Sequence, residues 1–128
     1  MSNDTPVLAS ELLRPLTLRA GRFLAAASGL VCAHGRVYVV GDDEHHLAVF
    51  DSLHAPGRPH RLWPGEPPAA PAARKAAKPD FECLFAFGAH SLIALGSGSG
   101  PRRHFGTQLA LDAAGRPARS AQRFDLQA

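Results

Sequence analysis

At 128 residues, with 45% hydrophobic side chains and seven Phe, the chain has the length of one ordinary domain, which excludes separate cofactor and substrate lobes and argues against wholesale disorder. Gly 12 and Pro 11 make up about 18% of it, above the roughly 12% of average usage, so the composition favours many turns over long helices. The formal charge of +3 is local, with Arg74, Lys75 and Lys78 in one stretch and Arg102 and Arg103 in another, which excludes a basic face tracking nucleic acid.

The N-terminal segment, 1–27, begins MSNDTPVLASELLRP. With acidic residues and no long apolar stretch there, no signal peptide is expected. Nowhere do about eighteen uncharged apolar residues run together, so no membrane partner is expected and a cytoplasmic protein is the default. The segment carries one weak strand, Leu16 to Arg19. Period-two runs follow at Ser28 to Ala33, Arg36 to Val40, His46 to Phe50 and Pro59 to Trp63. These predict a four-strand meander over 28–63. His34-Gly35 suits a tight hairpin, because Gly accepts a positive φ.

A Pro/Ala-rich insertion, 64–80, comes next, with room for one short helix after Pro71. The same order then returns over 81–128, as Phe81 to Phe87, Ser91 to Leu95, Thr107 to Leu111 and Ala121 to Leu126. Leu47-Ala48-Val49-Phe50-Asp51 matches Leu109-Ala110-Leu111-Asp112, and Gly57-Arg58-Pro59 matches Gly115-Arg116-Pro117 at a spacing of 58 residues. A repeat of four short strands predicts an all-β fold of two four-stranded antiparallel β-propeller-type blades. Closed propellers have about four to eight blades, so two do not close. The chain is then a fragment of a longer propeller, or its open edges are covered by another subunit or by the N-terminal segment. Either way one apolar blade face is expected to lie exposed. Cys32 and Cys83 sit in apolar runs and are expected as buried packing residues rather than a disulfide.

Three constellations carry possible chemistry. Gly41-Asp42-Asp43-Glu44-His45-His46, between the second and third strands of the first blade, offers oxygen ligands for Ca²⁺ or a solvated Asp-rich turn. Calcium needs more ligands than this loop holds. Asp80 and Glu82, placed on one side of the entering strand by alternation, are the candidates to complete the set. Glu82 is also readable as an edge carboxylate satisfied by backbone or by Arg74, Lys75 or Lys78. Gly96-Ser97-Gly98-Ser99-Gly100-Pro101-Arg102-Arg103-His104 occupies the equivalent position in the second blade. Ser97, Ser99, Arg102 and Arg103 suit a small polar or anionic ligand. No Walker ending and no following helix are present, which excludes nucleotide binding of that kind. The acidic and basic loops should emerge at one end, where pairing with each other is the plainer alternative. No catalytic residue is assignable.

Ala27-Ser28-Gly29-Leu30, Val37-Tyr38-Val39-Val40-Gly41-Asp42-Asp43-Glu44, Arg74-Lys75-Ala76-Ala77-Lys78-Pro79-Asp80-Phe81-Glu82 and Leu92-Ile93-Ala94-Leu95-Gly96-Ser97-Gly98-Ser99 together resemble an uncharacterised bacterial propeller-like family. More distantly the chain is similar to phytase-like and esterase-like propellers. The resemblance runs from about Leu16 to Asp112 and implies members about twice this length. The phytase-like kinship implies phosphoester hydrolysis around calcium, with Asp42, Asp43, Asp80 and Glu82 at the matching positions. The expected function is a module whose loop end binds a small polar ligand or a protein partner. The alternative is a calcium-assisted hydrolase of phosphoesters or esters, with Arg102 and Arg103 holding the anionic substrate.

Overall fold

The structure is a computed structural model that describes residues 17, 24, 26–41, 45–52, 54–63, 69–98 and 104–126. The first sheet is β1 (Ala27–Ala33), β2 (Arg36–Gly41), β3 (His46–Phe50) and β4 (Arg58–Arg61), in the order β1-β2-β3-β4 with every pair antiparallel. The second is β5 (Phe81–Ala86), β6 (Ser91–Gly96), β7 (Phe105–Ala110) and β8 (Gln122–Asp125), in the order β5-β6-β7-β8. Among the described residues one short helix, α1 (Pro71–Ala77), lies between them in sequence, and Pro71 stands at its first position, where the missing N–H does no harm.

Local chemistry explains these elements. His34 and Gly35 have φ of 54° and 69°, the paired left-handed conformation whose twist matches that of the strands it joins. β2 is a run of Val37, Tyr38, Val39 and Val40, and Tyr38, Val39 and Val40 are fully buried, as a central strand covered on both faces requires. The fourth strand stops at Arg61, two residues short of the expected Trp63. Leu62 and Trp63 turn back instead, and their N–H groups donate to the His45 carbonyl at 2.9 and 3.1 Å. The seventh strand starts earlier than expected, at Phe105, and Leu111 forms only an isolated bridge to Pro117. Of the weak strand at 16–19 only Thr17 is described, and its carbonyl accepts from the Gly57 N–H at 2.8 Å.

The core lies between the sheets. Tyr38, Val40, Leu47 and Val49 of the first pack on Phe81, Leu84, Leu92 and Leu109 of the second. Val39, Ala48 and Phe50, on the other side of the first sheet, form a smaller cluster with Leu24. The sheets meet most closely at β1 and β5, where a methyl on Gly29 would stand 2.7 Å from the Leu84 backbone nitrogen. Both first strands carry a register shift, at Ser28 in β1 and at Glu82 in β5. The Ser28 hydroxyl donates to the Phe81 carbonyl of the other sheet. At the opposite end the connection after β7 reaches back: the buried Tyr38 hydroxyl donates to the Gly115 carbonyl, and the Arg36 Nε donates to the Ala114 carbonyl at 3.1 Å.

Pairing from those shifts puts the two sheets in correspondence. Gly29 opposite Val40 and Val31 opposite Tyr38 match Cys83 opposite Leu95 and Phe85 opposite Ile93. The first set faces the second sheet; the matching set lies on the side of the second sheet turned away from the first. There Phe85 is 37% exposed, and Phe87 and Leu126 are exposed beyond it at 61% and 49%. The cysteines are both free thiols, and Cys32 departs from the expectation of burial: it is exposed, on an edge strand and on the side away from the core. No helix among the described residues is long and apolar enough to cross a membrane.

Candidate functional site

Because β1 and β5 start side by side, the β2–β3 and β6–β7 connections leave from the same end of the molecule. Gly41 pairs with Ala27, and Gly96 with Phe81, at that end. Of the residues singled out there, Asp42, Asp43, Ser99, Arg102 and Arg103 lie outside the described residues. Asp80, Glu82 and Ser97 are described.

Asp80 is buried, in the left-handed conformation at φ 55°, which Asp tolerates better than most side chains. Its carboxylate is 3.5 Å from the Lys78 ammonium, and both side chains are largely shielded. Glu82 is exposed. The positive φ at Asp80 and the register shift at Glu82 interrupt the period of two on which the alternation argument relies, and the two carboxylates differ in burial. Ser97 is half-buried, followed by Gly98 at φ 71°. Among the described residues no group of three or more His, Cys, Asp or Glu comes together as a metal cluster.

A second concentration of polar chemistry lies in the cleft between β4 and the segment that leads into β8. Trp63, 7% exposed, packs edge-on against Phe81 at a centroid distance of 6.1 Å and tilted against Phe105 at 5.9 Å. The Arg123 guanidinium carbon lies 4.8 Å from the centres of both the Trp63 and Phe105 rings, so a cation and two ring faces hold one another in place. The Arg61 Nη1 donates to the Trp63 carbonyl at 3.2 Å. A hollow of about 330 Å³ opens between this corner and Arg119, Ser120 and Arg123.

A second hollow, of about 270 Å³, is lined by Val49, Arg58 and His60 on one side and Arg116 and Pro117 on the other. Arg58 here is engaged, its Nη2 donating to both Asp51 carboxylate oxygens at 3.0 Å. Burial pushes the His60 pKa down, and a hydrogen bond to the Ala118 backbone works in the opposite sense. The Asp112 carboxyl is held below the usual carboxylate range, first by the Arg116 N–H and also by that of Ala114. Its Oδ1 accepts from these groups at 2.8 and 2.9 Å, which closes the turn that presents Arg116.

None of Arg61, Trp63, Arg116, Arg119 or Arg123 stood out in the sequence as a ligand residue. The available signal is the full repeat: Gly57-Arg58-Pro59-His60-Arg61 recurs as Gly115-Arg116-Pro117-Ala118-Arg119. Across the cleft Arg58 and Arg116 share one hollow and Arg61 and Arg119 the other.

A family model described as Family of unknown function (DUF6929) matches residues 23–128. No curated protein and no solved structure matches the chain. An uncharacterised family is thus what the comparisons return, and the phytase-like and esterase-like likeness finds no support in them.

Proposed function

This chain belongs to the Family of unknown function (DUF6929), and from that starting point we propose that it is a binding module of two β-propeller-type blades, its outer face seating a further four-stranded sheet. The observation that carries this reading is the correspondence of faces. Val31, Tyr38 and Val40 of the first sheet pack toward the second, and the matching Phe85, Ile93 and Leu95 form the face the second sheet turns outward. A face of that composition is stable when covered. The bulges match as well: Ser28 anchors the first sheet to the Phe81 carbonyl of the next, and Glu82 stands at the equivalent place for a donor on the sheet that follows. The polar-ligand function is assigned to the loop end from the sequence, with Ser97, Ser99, Arg102 and Arg103 as the residues that would carry it.

The test compares wild type with Phe85→Asp. The wild-type chain is expected to bind the apolar dye anilinonaphthalene sulfonate saturably. The variant is expected to lose that binding while its unfolding free energy changes by less than about 0.5 kcal/mol, as for a surface substitution. A wild-type chain that ignores the dye overturns the proposal. So does a loss of more than about 2 kcal/mol in the variant, which would mean that Phe85 is already packed in a core.

A further inference from the structure

We propose that the outward face of the second sheet is closed by the same face of a second copy of this chain, in a two-fold, face-to-face dimer. The occupant is thereby named for the face that the binding-module reading leaves open, and the inference rests on that reading. Residues directly opposite one another in a sheet point to the same side, so the pairing lays the face out in cross-strand rows. Cys83, Leu95, Gly106 and Phe124 form one row, and Phe85, Ile93, Gln108 and Gln122 form the next. The alternate residues Leu84, Leu92 and Leu109 face the first sheet. The Phe124 ring and a Leu95 methyl fill the space over Gly106. Neither row holds a charged side chain, which is the composition of an interface centre. Phe87 and Leu126, exposed just beyond the strands, extend the apolar surface.

Two properties select a second copy and a two-fold axis. Such an axis sets a surface against itself, so a charge there would meet its own sign, and a face without charge escapes that repulsion. The head-to-tail alternative needs an open receiving face as well. Its place is the far side of the first sheet, where Val39, Ala48 and Phe50 are already buried with Leu24 packed on them. The Gly57 N–H also donates to the Thr17 carbonyl at 2.8 Å, and Leu30 and Cys32 stand exposed at the β1 rim. The size of the contact sets its strength. β5, β6 and β7 have six residues each and β8 four; at about 3.3 Å per residue and about 4.8 Å between strands the face measures about 19 by 20 Å. Two copies then cover about 800 Å² of flat area, to which Phe87 and Leu126 add. This is the low end of specific interfaces, so a reversible, micromolar dimer is expected rather than a permanent one.

Sedimentation equilibrium of the whole chain, from submicromolar to near-millimolar concentration, is expected to show monomer passing to dimer. Binding of anilinonaphthalene sulfonate per chain should fall over the same range as the face is covered. Phe85→Asp should weaken dimerisation at least about a hundredfold, because it sets like charges against one another in a dry contact. Phe87→Asp, at a more exposed position, should weaken it about tenfold. Leu30→Asp, on the far side of the first sheet at a position 56% exposed, should leave it unchanged. Far-ultraviolet circular dichroism checks that each variant is folded. A chain that stays monomeric at every concentration overturns the proposal. If that monomer binds the dye, the open-face reading stands without this occupant; if it ignores the dye, both fall. A dimer that Phe85→Asp and Phe87→Asp leave intact, or that Leu30→Asp also disrupts, equally overturns the two-fold arrangement.

Discussion

Replacing Gly29 by Ala probes the closest approach of the two sheets. The added methyl would lie 2.7 Å from the Leu84 backbone nitrogen and 3.0 Å from both the Leu84 Cβ and a Val40 methyl. Ordinary contact begins near 3.5 Å, so β1 and β5 must separate by about 0.8 Å or the strand must tilt. Trimming a side chain offers no relief, because the nearest atom belongs to the backbone. Overpacking of this kind costs about 1–3 kcal/mol. The φ of Gly29 is one that Ala adopts, so the stiffer unfolded chain returns about 0.4–1 kcal/mol. The difference centres on a loss of about 1.3 kcal/mol, which at about 4 °C per kcal/mol for a domain of this size lowers Tm by about 5 °C. Urea unfolding followed by Trp63 emission and by far-ultraviolet circular dichroism measures it, and coincident transitions from the two signals license the free energy. A variant as stable as the wild type, or more so, would refute the close packing of β1 on β5.

Two further outcomes follow from titratable groups. Burial favours the neutral His60 ring, so the unfolded chain binds its proton more tightly. Stability from this group is therefore present above the ordinary histidine value of about 6.5, falls as pH drops through it, and levels off below the depressed folded-state value. His60→Gln should flatten that part of the stability profile relative to wild type; identical slopes would show that the ring is solvated. Ca²⁺ should leave Tm unmoved, since the Lys78 ammonium stands against the Asp80 carboxylate and Glu82 is exposed. A rise in Tm that Asp80→Asn removes would restore the calcium-assisted hydrolase.

The strands were legible because each rests on local chemistry. Alternating or β-branched runs bounded by Gly, Asp and Pro locate eight strands within a residue or two, and His34-Gly35 names its own turn. Where the reading failed, the cause lies in geometry that no window of sequence contains. The left-handed Asp80 is buried while Glu82, at a register shift, is exposed, a difference in surroundings that alternation along the strand does not anticipate. Cys32 has the same neighbours in sequence as a core residue, yet it lies on the uncovered side of an edge strand. The arginine cleft was invisible for the opposite reason: Arg61 and Arg119 are distant along the chain, and only the folding of two sheets against one another makes them neighbours. Their shared Gly-Arg-Pro spacing was visible, but the third-residue arginine in each copy acquires meaning only when the copies face across a gap.

The clasp between Tyr38 and Gly115 spans 77 positions of the chain. During synthesis the second strand emerges first, and the carbonyl that accepts from its tyrosine hydroxyl follows 77 residues later. The first sheet thus waits with an aromatic side chain unsheltered until the connection after β7 arrives. Contacts of such range slow the search for the native arrangement and lengthen exposure to aggregation, so any truncation before residue 115 would produce a species that holds its first meander but never seals it.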